Sequence, residues 1–343
     1  MRGADPAIVL VPGVGMFSFG ANKQTARVAG EFYVNAINVM HGAEAVSTYA
    51  PIDEAEKFRI EYWALEEAKL QRMPKPRSLA GRIAFITGGA GGIGRATALR
   101  LLAEGACVTL ADLDAGSLEQ AVSELARSHG KDVVHGVVMN VVDEAAVTAA
   151  FGDAVRRFGG LDIVVSNAGI ASAASVEETT LDLWRKNMDV LATGYFLVAR
   201  TGYRLLKEQG RGGSIVFVGS KNALAASAGA SAYCTAKAAE IHLARCLALE
   251  GASLGIRVNV VNPDAVIRGS RIWSGSWREE RAAANKIGTD DVEEFYRKRS
   301  LLQRSVFPED VAEGIYFFAS EVSGKSTGNI LNVDAGNAVA FTR

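Results

Sequence analysis

The chain has 343 residues, with 37 basic and 38 acidic side chains and a formal net charge of −1 at pH 7. A single hydrophobic core rarely grows beyond about 250 to 300 residues, so this length predicts one large domain and a smaller appendage. The balanced charge and the lack of a dense Lys/Arg block argue against a nucleic-acid partner and favour a small molecule.

Cysteine content and hydropathy indicate the compartment. The three cysteines, Cys107, Cys234 and Cys246, form no CxxC pair, which argues against a disulfide framework and against a thiolate metal site. The apolar stretch 7–14 is too short to cross a bilayer, and nothing before it resembles an export signal. We therefore expect a cytoplasmic protein that has no membrane partner and no bound metal.

The segment up to residue 73 is predicted to be an α-rich unit. Its apolar pattern and turn residues indicate a strand over Ile8–Val11, a turn over 12–15, and helices over 24–40 and 53–72. Two prolines one residue apart follow, and they forbid a continuing helix. Residues 74–80 are therefore predicted to be a linker.

Beyond the linker, apolar runs rich in β-branched residues alternate with helical patterns. The predicted strands are 83–87, 107–111, 133–139, 163–166, 214–219 and 258–261, and the predicted helices include 92–104, 118–129, 144–158, 232–250 and 309–320. Strands that are apolar on both faces are typical of a sheet covered by helices on each side. We predict an α/β fold, a Rossmann-type doubly wound parallel sheet over 81–343, with the α-rich unit as an N-terminal extension.

A glycine-rich turn lies between the first of these strands and its helix. Residues 87–94 read Thr-Gly-Gly-Ala-Gly-Gly-Ile-Gly. Glycines let the backbone approach a pyrophosphate, whose charge the N terminus of the helix then stabilises. The strand before and the helix after disfavour the alternative of a purely structural turn. Gly88, Gly92, Ile93 and Gly94 are therefore predicted to bind a dinucleotide.

Asp112 follows the second strand, about 20 residues beyond the glycine turn, where a carboxylate can accept hydrogen bonds from the adenosine ribose. It would repel a 2′-phosphate, and no Lys or Arg lies in the glycine turn or directly after Asp112. Asp112, with Leu113 beside it, therefore predicts NAD as the cofactor in preference to NADP. The alternative role of capping the next helix suits Asp114 better.

Three polar residues form a candidate catalytic group. Tyr233 and Lys237 are four positions apart, so on a helix they share a face. Ser220 ends a predicted strand thirteen positions before Tyr233. It therefore lies at the carboxyl edge of the sheet, where open α/β sheets bind their ligands.

With these elements in this order, and with Asn167-Ala168-Gly169 after the fourth strand, residues 81–336 resemble the short-chain dehydrogenase/reductase family. The resemblance implies that Tyr233 is the general acid/base, that Ser220 orients the substrate oxygen, and that Lys237 holds the nicotinamide ribose and lowers the tyrosine pKa. Moving a phenol pKa from about 10 towards 7 requires roughly 4 kcal/mol. A nearby ammonium and an oxidised nicotinamide ring could supply that energy.

Other positions of the resemblance concern the cofactor and the proton relay. The further cofactor-binding residues that it implies are Asn140, Val141, Asn167, Ala168, Gly169, Pro263 and Val266. The chain departs from the family pattern at two positions. Asp264 stands where the family usually has Gly, and Arg268 stands where it often has Thr. It also has Leu191 where the family usually has a relay Asn. Asn187 lies one turn earlier and is the candidate replacement, the alternative being an ordinary polar helix residue.

A narrower resemblance involves both ends of the chain. Residues 11–17 and 58–66 look like the tail of the class II aldolase half of bifunctional rhamnulose-1-phosphate aldolase/alcohol dehydrogenases, and residues 220–223, 262–266, 269–273 and 326–334 resemble the dehydrogenase half. This implies a homo-oligomer in rhamnose catabolism with a small alcohol or aldehyde substrate such as lactaldehyde. A metal-dependent aldolase needs a His cluster, yet His41 is the single histidine of the first 80 residues. Residues 1–73 are therefore predicted to be a remnant without its own activity.

The long segment 267–306 is predicted to be a lid over the substrate, because long loops at the carboxyl edge of such sheets are usually functional. Arg271, Trp273, Trp277 and Arg278 are its candidate substrate residues. The alternative is that this segment forms solvated helix surfaces, with the tryptophans packed against the N-terminal unit.

Taken with the catalytic group, these features predict reversible, NAD-dependent hydride transfer to or from a small alcohol or aldehyde. Two alternatives stay open: an epimerase or dehydratase that uses NAD transiently, and a NAD-binding protein without turnover.

Overall fold

The computed structural model of the protein describes residues 6–341. Contacts between Cα atoms divide the chain after Gly81 into two compact units, Met1–Gly81 and Arg82–Arg343. Within the described residues, no helix is both long enough and apolar enough to span a bilayer.

The first unit holds a small hairpin and three helices. Strands β1 (Ile8–Val11) and β2 (Gly15–Ser18) pair antiparallel. Helix α1 spans Lys23–Val46 and begins where the Asn22 side chain accepts a hydrogen bond from the Thr25 N–H, at 2.9 Å. In the hairpin, the turn predicted over 12–15 is one residue shorter than expected, because Gly15 already belongs to β2.

The single helix predicted over 53–72 is two helices, α2 (Glu54–Glu61) and α3 (Ala64–Arg72). Trp63 between them is extended, with φ −64° and ψ 133°. Neither helix buries a residue. Since short helices depend on a packed face for their stability, nothing here enforces one continuous helix.

The second unit is built on a parallel sheet. Within residues 82–341 it has seven strands in the order β5-β4-β3-β6-β7-β8-β9. Their bounds are β3 Ile83–Thr87, β4 Cys107–Asp112, β5 Val134–Val138, β6 Ile163–Ser166, β7 Gly213–Val218, β8 Ile256–Pro263 and β9 Ile330–Val333. All six predicted strands form, and every pairing is parallel. Strand β9 was not predicted, since four residues with a central Asn give little strand signal.

Helices cover both faces of this sheet. They are α4 Gly92–Ala103, α5 Ala115–His129, α6 Glu144–Phe158, α7 Leu181–Asn187, α8 Gly194–Gln209, α9 Ser231–Gly251, α10 Ser276–Asn285, α11 Val292–Arg299 and α12 Pro308–Ala319. A π-helical turn, Met188–Thr193, joins α7 to α8. The doubly wound α/β prediction is confirmed.

The strand order positions the functional site. The chain runs outward from β3 through β4 to β5 and then crosses to β6 on the other side of β3. Phe85 in β3 and Val164 in β6 are fully buried between the helical layers. Ligands of open α/β sheets bind beyond the carboxyl ends of the strands at such a reversal. The loops that follow β3 and β6 therefore meet where a ligand is expected.

Candidate active site

A cleft of about 330 Å³ opens at the carboxyl edge of the sheet. Its wall is made by the loops that follow β3, β4, β5, β6, β7 and β8, by helix α9, and by the segment after β8. Most of the predicted site residues line it: Gly88, Gly92, Ile93, Asp112, Leu113, Asn140, Val141, Asn167, Ala168, Gly169, Ser220, Tyr233, Lys237, Pro263, Val266, Arg271, Trp273 and Trp277. Asn187, Gly94 and Arg278 are not among the lining residues.

The glycine turn is shaped by close backbone contacts. Gly88 has φ +62°, a left-handed conformation that favours glycine. A Cβ on Gly94 would lie 2.2 Å from the Gly88 carbonyl oxygen. Gly94 is buried and lets the helix begin directly on the turn, so its contribution is to the shape of the turn and not to the cleft wall.

The turn fits the pyrophosphate of a dinucleotide. Gly91 precedes helix α4, and no side chain caps that helix. The first N–H groups of a helix need an acceptor, and a phosphate at the mouth of the cleft can provide one. The backbone also leaves room there, because Gly88, Gly91 and Gly92 line the cleft without side chains.

Asp112 is held at the adenosine end of this cleft. One carboxylate oxygen accepts a hydrogen bond from the Ala90 N–H at 3.0 Å, and the other accepts from the Asp114 N–H at 3.1 Å. Each carboxylate oxygen can accept a further bond. These remaining acceptor positions fit the hydroxyl donors of a ribose. Asp114 caps helix α5 by accepting from the Ser117 N–H.

Arg271 also lines the cleft near Asp112, and its predicted contact with substrate stays a prediction. Its guanidinium is 3.7 Å from the Asp112 carboxylate and 3.8 Å from the Asp114 carboxylate. The segment after β8 returns over the glycine turn, where a Cβ on Gly92 would lie 2.2 Å from the Gly269 carbonyl oxygen. A positive charge therefore faces Asp112 although none is near it in the sequence.

The loop after β6 is fastened to the glycine turn. The Asn167 side-chain amide donates to the carbonyl oxygens of Thr87 and Gly88, at 2.9 and 3.2 Å. The N–H groups of Asn167 and Ala168 both donate to the Thr87 hydroxyl. Asn167 thus acts by shaping the floor of the cleft. On the facing side the Asn140 side-chain oxygen accepts from the Val142 N–H, which holds that loop.

The structure brings Ser220, Tyr233 and Lys237 together on the wall of the cleft. Ser220 lies two residues after the end of β7, and the other two residues lie on the first turns of α9. Burial raises the pKa of the Tyr233 phenol above its usual range, and a hydrogen bond with Ser220 lowers it in part. The polypeptide alone therefore keeps the phenol protonated, so the lowering implied by the resemblance requires a further positive charge in the cleft.

Lys237 has two hydrogen-bond partners among the described residues. Its ammonium donates to the Val218 carbonyl oxygen at 3.0 Å and to the Glu240 carboxylate at 3.1 Å. Glu240 is fully buried. Sequence reasoning missed it, although its spacing from Lys237 and Tyr233 places it on the same helix face and could have revealed it.

The residues of the predicted proton relay lie elsewhere. Asn187 is buried and donates to the Ser172 hydroxyl at 2.7 Å and to the Leu183 carbonyl oxygen at 2.8 Å. It is not among the residues that line the cleft, and its role as the relay residue stays a prediction. Leu191, at the family's usual Asn position, is fully buried in an apolar cluster with Tyr233.

Aromatic side chains close the substrate end. The Trp277 ring is centred 5.5 Å from the Tyr233 ring, and the Trp273 ring is 5.3 Å from that of Tyr296. Both tryptophans are buried within the second unit. Segment 267–306 therefore borders Tyr233, and its short helices α10 and α11 carry this wall.

Arg281, and not Arg278, is the arginine that helix α10 presents to the cleft. Trp277 and Arg281 are four residues apart and share a face, with the guanidinium carbon 4.6 Å from the centre of the Trp277 ring. Arg278 directly follows Trp277 and therefore lies about 100° around the helix from it. Its Nε donates to the Thr289 carbonyl oxygen at 3.0 Å. The structure therefore gives no support to the prediction that Arg278 contacts substrate.

Several charged residues of the cleft were not predicted. They are Lys221, Asp264, Arg281 and Arg299, which line the substrate end with Tyr296. Lys221 donates to the Ser227 hydroxyl at 2.8 Å, and burial lowers its pKa. Asp264 accepts from Arg299 and from the Asn337 amide. The sequence does not indicate that these residues lie near one another, because they come from separate parts of the chain.

Two protein-family models match different parts of the chain. The model described as Enoyl-(Acyl carrier protein) reductase matches residues 88–338. The model described as aldolase class II, second domain, matches residues 1–70.

Individual relatives extend these matches. The chain is 48% identical over 338 residues to the uncharacterized oxidoreductase YuxG of Bacillus subtilis, covering 98% of this chain and 49% of that protein, so it spans about half the length of this relative. It is 34% identical over 261 residues to 2-(S)-hydroxypropyl-CoM dehydrogenase 3 of Xanthobacter autotrophicus, covering 75% of this chain and 97% of that protein. The structure of sorbitol-6-phosphate 2-dehydrogenase SrlD from Erwinia amylovora is similar with a TM-score of 0.71 and 28% identity, over 74% of this chain and 99% of that one.

Proposed function

Because the chain belongs to the short-chain dehydrogenase/reductase family, we propose that its second unit transfers hydride reversibly between NAD and a small alcohol or aldehyde. The observation that carries this proposal is the meeting of Ser220, Tyr233 and Lys237 in one cleft with an uncapped, glycine-rich helix N terminus. Bound NAD would supply the hydride acceptor or donor.

The side chains around the cleft have separate roles in the proposed hydride transfer. Tyr233 holds the proton that leaves or joins the substrate oxygen. Ser220 hydrogen bonds with the Tyr233 phenol and orients the same substrate oxygen. Lys237, fixed by Val218 and Glu240, holds the nicotinamide ribose and places its positive charge one helical turn from Tyr233. The aromatic wall of Trp273 and Trp277 excludes water from the reacting atoms.

For the cofactor, Asp112 supports NAD over NADP, since a fixed carboxylate at the ribose repels a 2′-phosphate. Arg271 at 3.7 Å offsets part of that repulsion, so the preference is smaller than Asp112 alone would give. The first candidate substrate is lactaldehyde in rhamnose catabolism. Its support is the match of residues 1–70 to a class II aldolase domain next to a dehydrogenase. We further propose a homo-oligomer and, because the three cysteines form no CxxC pair, a cytoplasmic location.

The test is turnover on a panel of lactaldehyde, propane-1,2-diol and sugar alcohols at saturating NAD. We expect net accumulation of NADH with at least one alcohol. An epimerase, a dehydratase or an inactive NAD-binding protein would release no reduced cofactor in quantity, so its absence across the panel would contradict the proposal.

The Tyr233→Phe variant tests the assignment of the acid/base. We expect turnover to fall by at least about 10²-fold with NAD affinity retained, the usual loss for a general acid/base. Tyr203→Phe is the matched control, because Tyr203 packs against the core outside the cleft. Turnover of the Tyr233 variant within threefold of the parent would reject this role.

A further inference from the structure

A buried carboxylate lies directly beneath the candidate catalytic residues. Tyr233, Lys237 and Glu240 occupy positions i, i+4 and i+7 of helix α9 and therefore share one face. Glu240 is 0% exposed, and its two carboxylate oxygens are 3.0 and 3.1 Å from the Lys237 ammonium.

The surroundings of Glu240 show why the carboxylate stays with Lys237. Burial raises the pKa of the Glu240 carboxyl, whereas the adjacent Lys237 ammonium lowers it and so favours the ionised pair. The phenol of Tyr195, on helix α8, donates to the same Val218 carbonyl oxygen that accepts from Lys237. The negative charge of Glu240 acts on both phenols, Tyr195 and Tyr233. Cys234 and Asp264 are the other acidic side chains that raise the pKa of Tyr233.

Within residues 6–341, no amide side chain accepts a hydrogen bond from the Lys237 ammonium. Leu191 at the usual relay position is apolar and fully buried, and Asn187 is bonded to Ser172 and Leu183. Among the described residues, the hydrogen-bond acceptors of the Lys237 ammonium are one backbone carbonyl and one carboxylate.

We propose that Glu240 is a positioning residue that holds the Lys237 ammonium beside the cofactor site and sets the pH at which Tyr233 exchanges its proton. This rests on the proposed oxidoreductase function. The carboxylate acts in two separable ways. Its oxygens anchor the ammonium, and its negative charge offsets part of the field that the ammonium exerts on the Tyr233 phenol.

The size of the charge effect follows from the helix. Seven residues at 1.5 Å per residue separate Tyr233 from Glu240 by roughly 10 Å. Two unit charges at that distance, with an effective dielectric constant of about 20, shift a pKa by roughly one unit. An ionised Glu240 raises the Tyr233 pKa, so removal of its charge moves the onset of alcohol oxidation to lower pH.

The kinetic experiment compares Glu240→Gln with Glu240→Leu. The Gln side chain keeps an oxygen acceptor and loses the charge, so we expect near-parental kcat, with the acid limb of the alcohol-oxidation pH profile lower by roughly one unit. The Leu side chain removes the acceptor as well, so we also expect the KM for NAD to rise about tenfold, the order expected for loss of a hydrogen bond to a charged group. Glu250→Gln, on the exposed end of the same helix, is the control. We expect it to leave the acid limb and the KM for NAD unchanged.

An acid limb that stays in place, or moves to higher pH, in Glu240→Gln would overturn the charge part of the proposal. A parental KM for NAD in Glu240→Leu would overturn the anchoring part.

A double-mutant cycle needs no substrate and separates this inference from the proposed function. Thermal unfolding is measured for Lys237→Met, Glu240→Gln and the double variant. Loss of the ammonium leaves a buried carboxylate unpaired, so Lys237→Met should lower Tm less in the Glu240→Gln background than in the parent. Additive changes in Tm would overturn the pairing even if the enzyme is active. A clear coupling in a protein that oxidises no alcohol would contradict the proposed function alone.

Discussion

The two ends of the cleft are built in different ways. At the dinucleotide end, the loops that follow β3, β4, β5 and β6 make the wall, and Gly88, Gly91, Gly92 and Gly169 are among its residues. At the substrate end, the side chains of Trp273, Trp277, Arg281 and Tyr296 make the wall, and they come from segment 267–306 between β8 and α12. The first end therefore depends on local backbone geometry, and the second depends on how a distant segment packs.

One residue connects the two ends. Arg271 belongs to the segment that builds the substrate end, yet its guanidinium faces Asp112 and Asp114. The same stretch of chain therefore contributes to the wall of the substrate end and lies beside the proposed adenosine site. Each of the following variants disturbs one end and leaves the other as its internal control.

The largest effect is expected from Gly94→Ala at the dinucleotide end. The added Cβ would lie 2.2 Å from the Gly88 carbonyl oxygen, so the turn and α4 must move apart. We expect NAD affinity to fall by at least about 10²-fold and the melting temperature to drop, as for overpacking that costs about 1–3 kcal/mol or more. Gly152→Ala, within helix α6 with only the Arg156 side chain at 3.5 Å, is the control and should be neutral or slightly stabilising. Titration calorimetry with NAD and thermal unfolding measure both, and parental NAD binding in Gly94→Ala would contradict the tight-turn interpretation.

The second effect concerns cofactor choice. Replacing Asp112 by Ser and Leu113 by Arg removes a repulsive charge and adds an attractive one, so the ratio of kcat/KM for NADP to that for NAD should rise by about 10²-fold. Leu113→Arg alone is the control and should shift this ratio less, because Asp112 remains. A parent that already prefers NADP in steady-state assays would show that Arg271 outweighs Asp112.

Truncation of the aromatic wall should affect the substrate end only. In Trp273→Ala we expect kcat/KM for the alcohol to fall roughly tenfold or more, since the ring contacts Trp277 and Tyr296 beside Tyr233. NAD affinity should change little. Trp184→Ala, on α7 and outside the cleft, serves as the control. Unchanged kcat/KM would remove segment 267–306 from the active site.

The smallest effect is expected from Arg271→Ala. Since Arg271 faces Asp112, its loss should change the KM for NAD a few-fold, in the range of an exposed ion pair, and leave the KM for the alcohol unchanged. Arg278→Ala should change neither constant, because Arg278 is bonded to the Thr289 carbonyl oxygen away from the cleft. A change in the alcohol constant alone would restore Arg271 to the substrate end, where the sequence had suggested it.

Local patterns in the sequence were sufficient for six of the seven strands that the parallel sheet has within residues 82–341 and for the glycine turn. The run Ile83–Thr87 and the glycines after it determine a strand, a tight turn and a helix start within about ten neighbouring residues. Tyr233 and Lys237 could be paired because helical periodicity alone places them on one face. Strand β9, with four residues and Asn332 among them, gave too little local signal and forms by pairing with β8.

The substrate end required tertiary structure for a physical reason. Arg271 and Arg278 look equivalent in the sequence, and only the close approach of Gly269 to Gly92 carries Arg271 to Asp112. On α10 the arginine that borders the cleft is Arg281. It does so because Trp277, on the same helix face, packs against Tyr233. Such contacts join positions dozens of residues apart, and their energies depend on packing that no local pattern encodes. The backbone of the dinucleotide end was therefore determined locally, whereas the side chains that meet the substrate were decided by the folded chain.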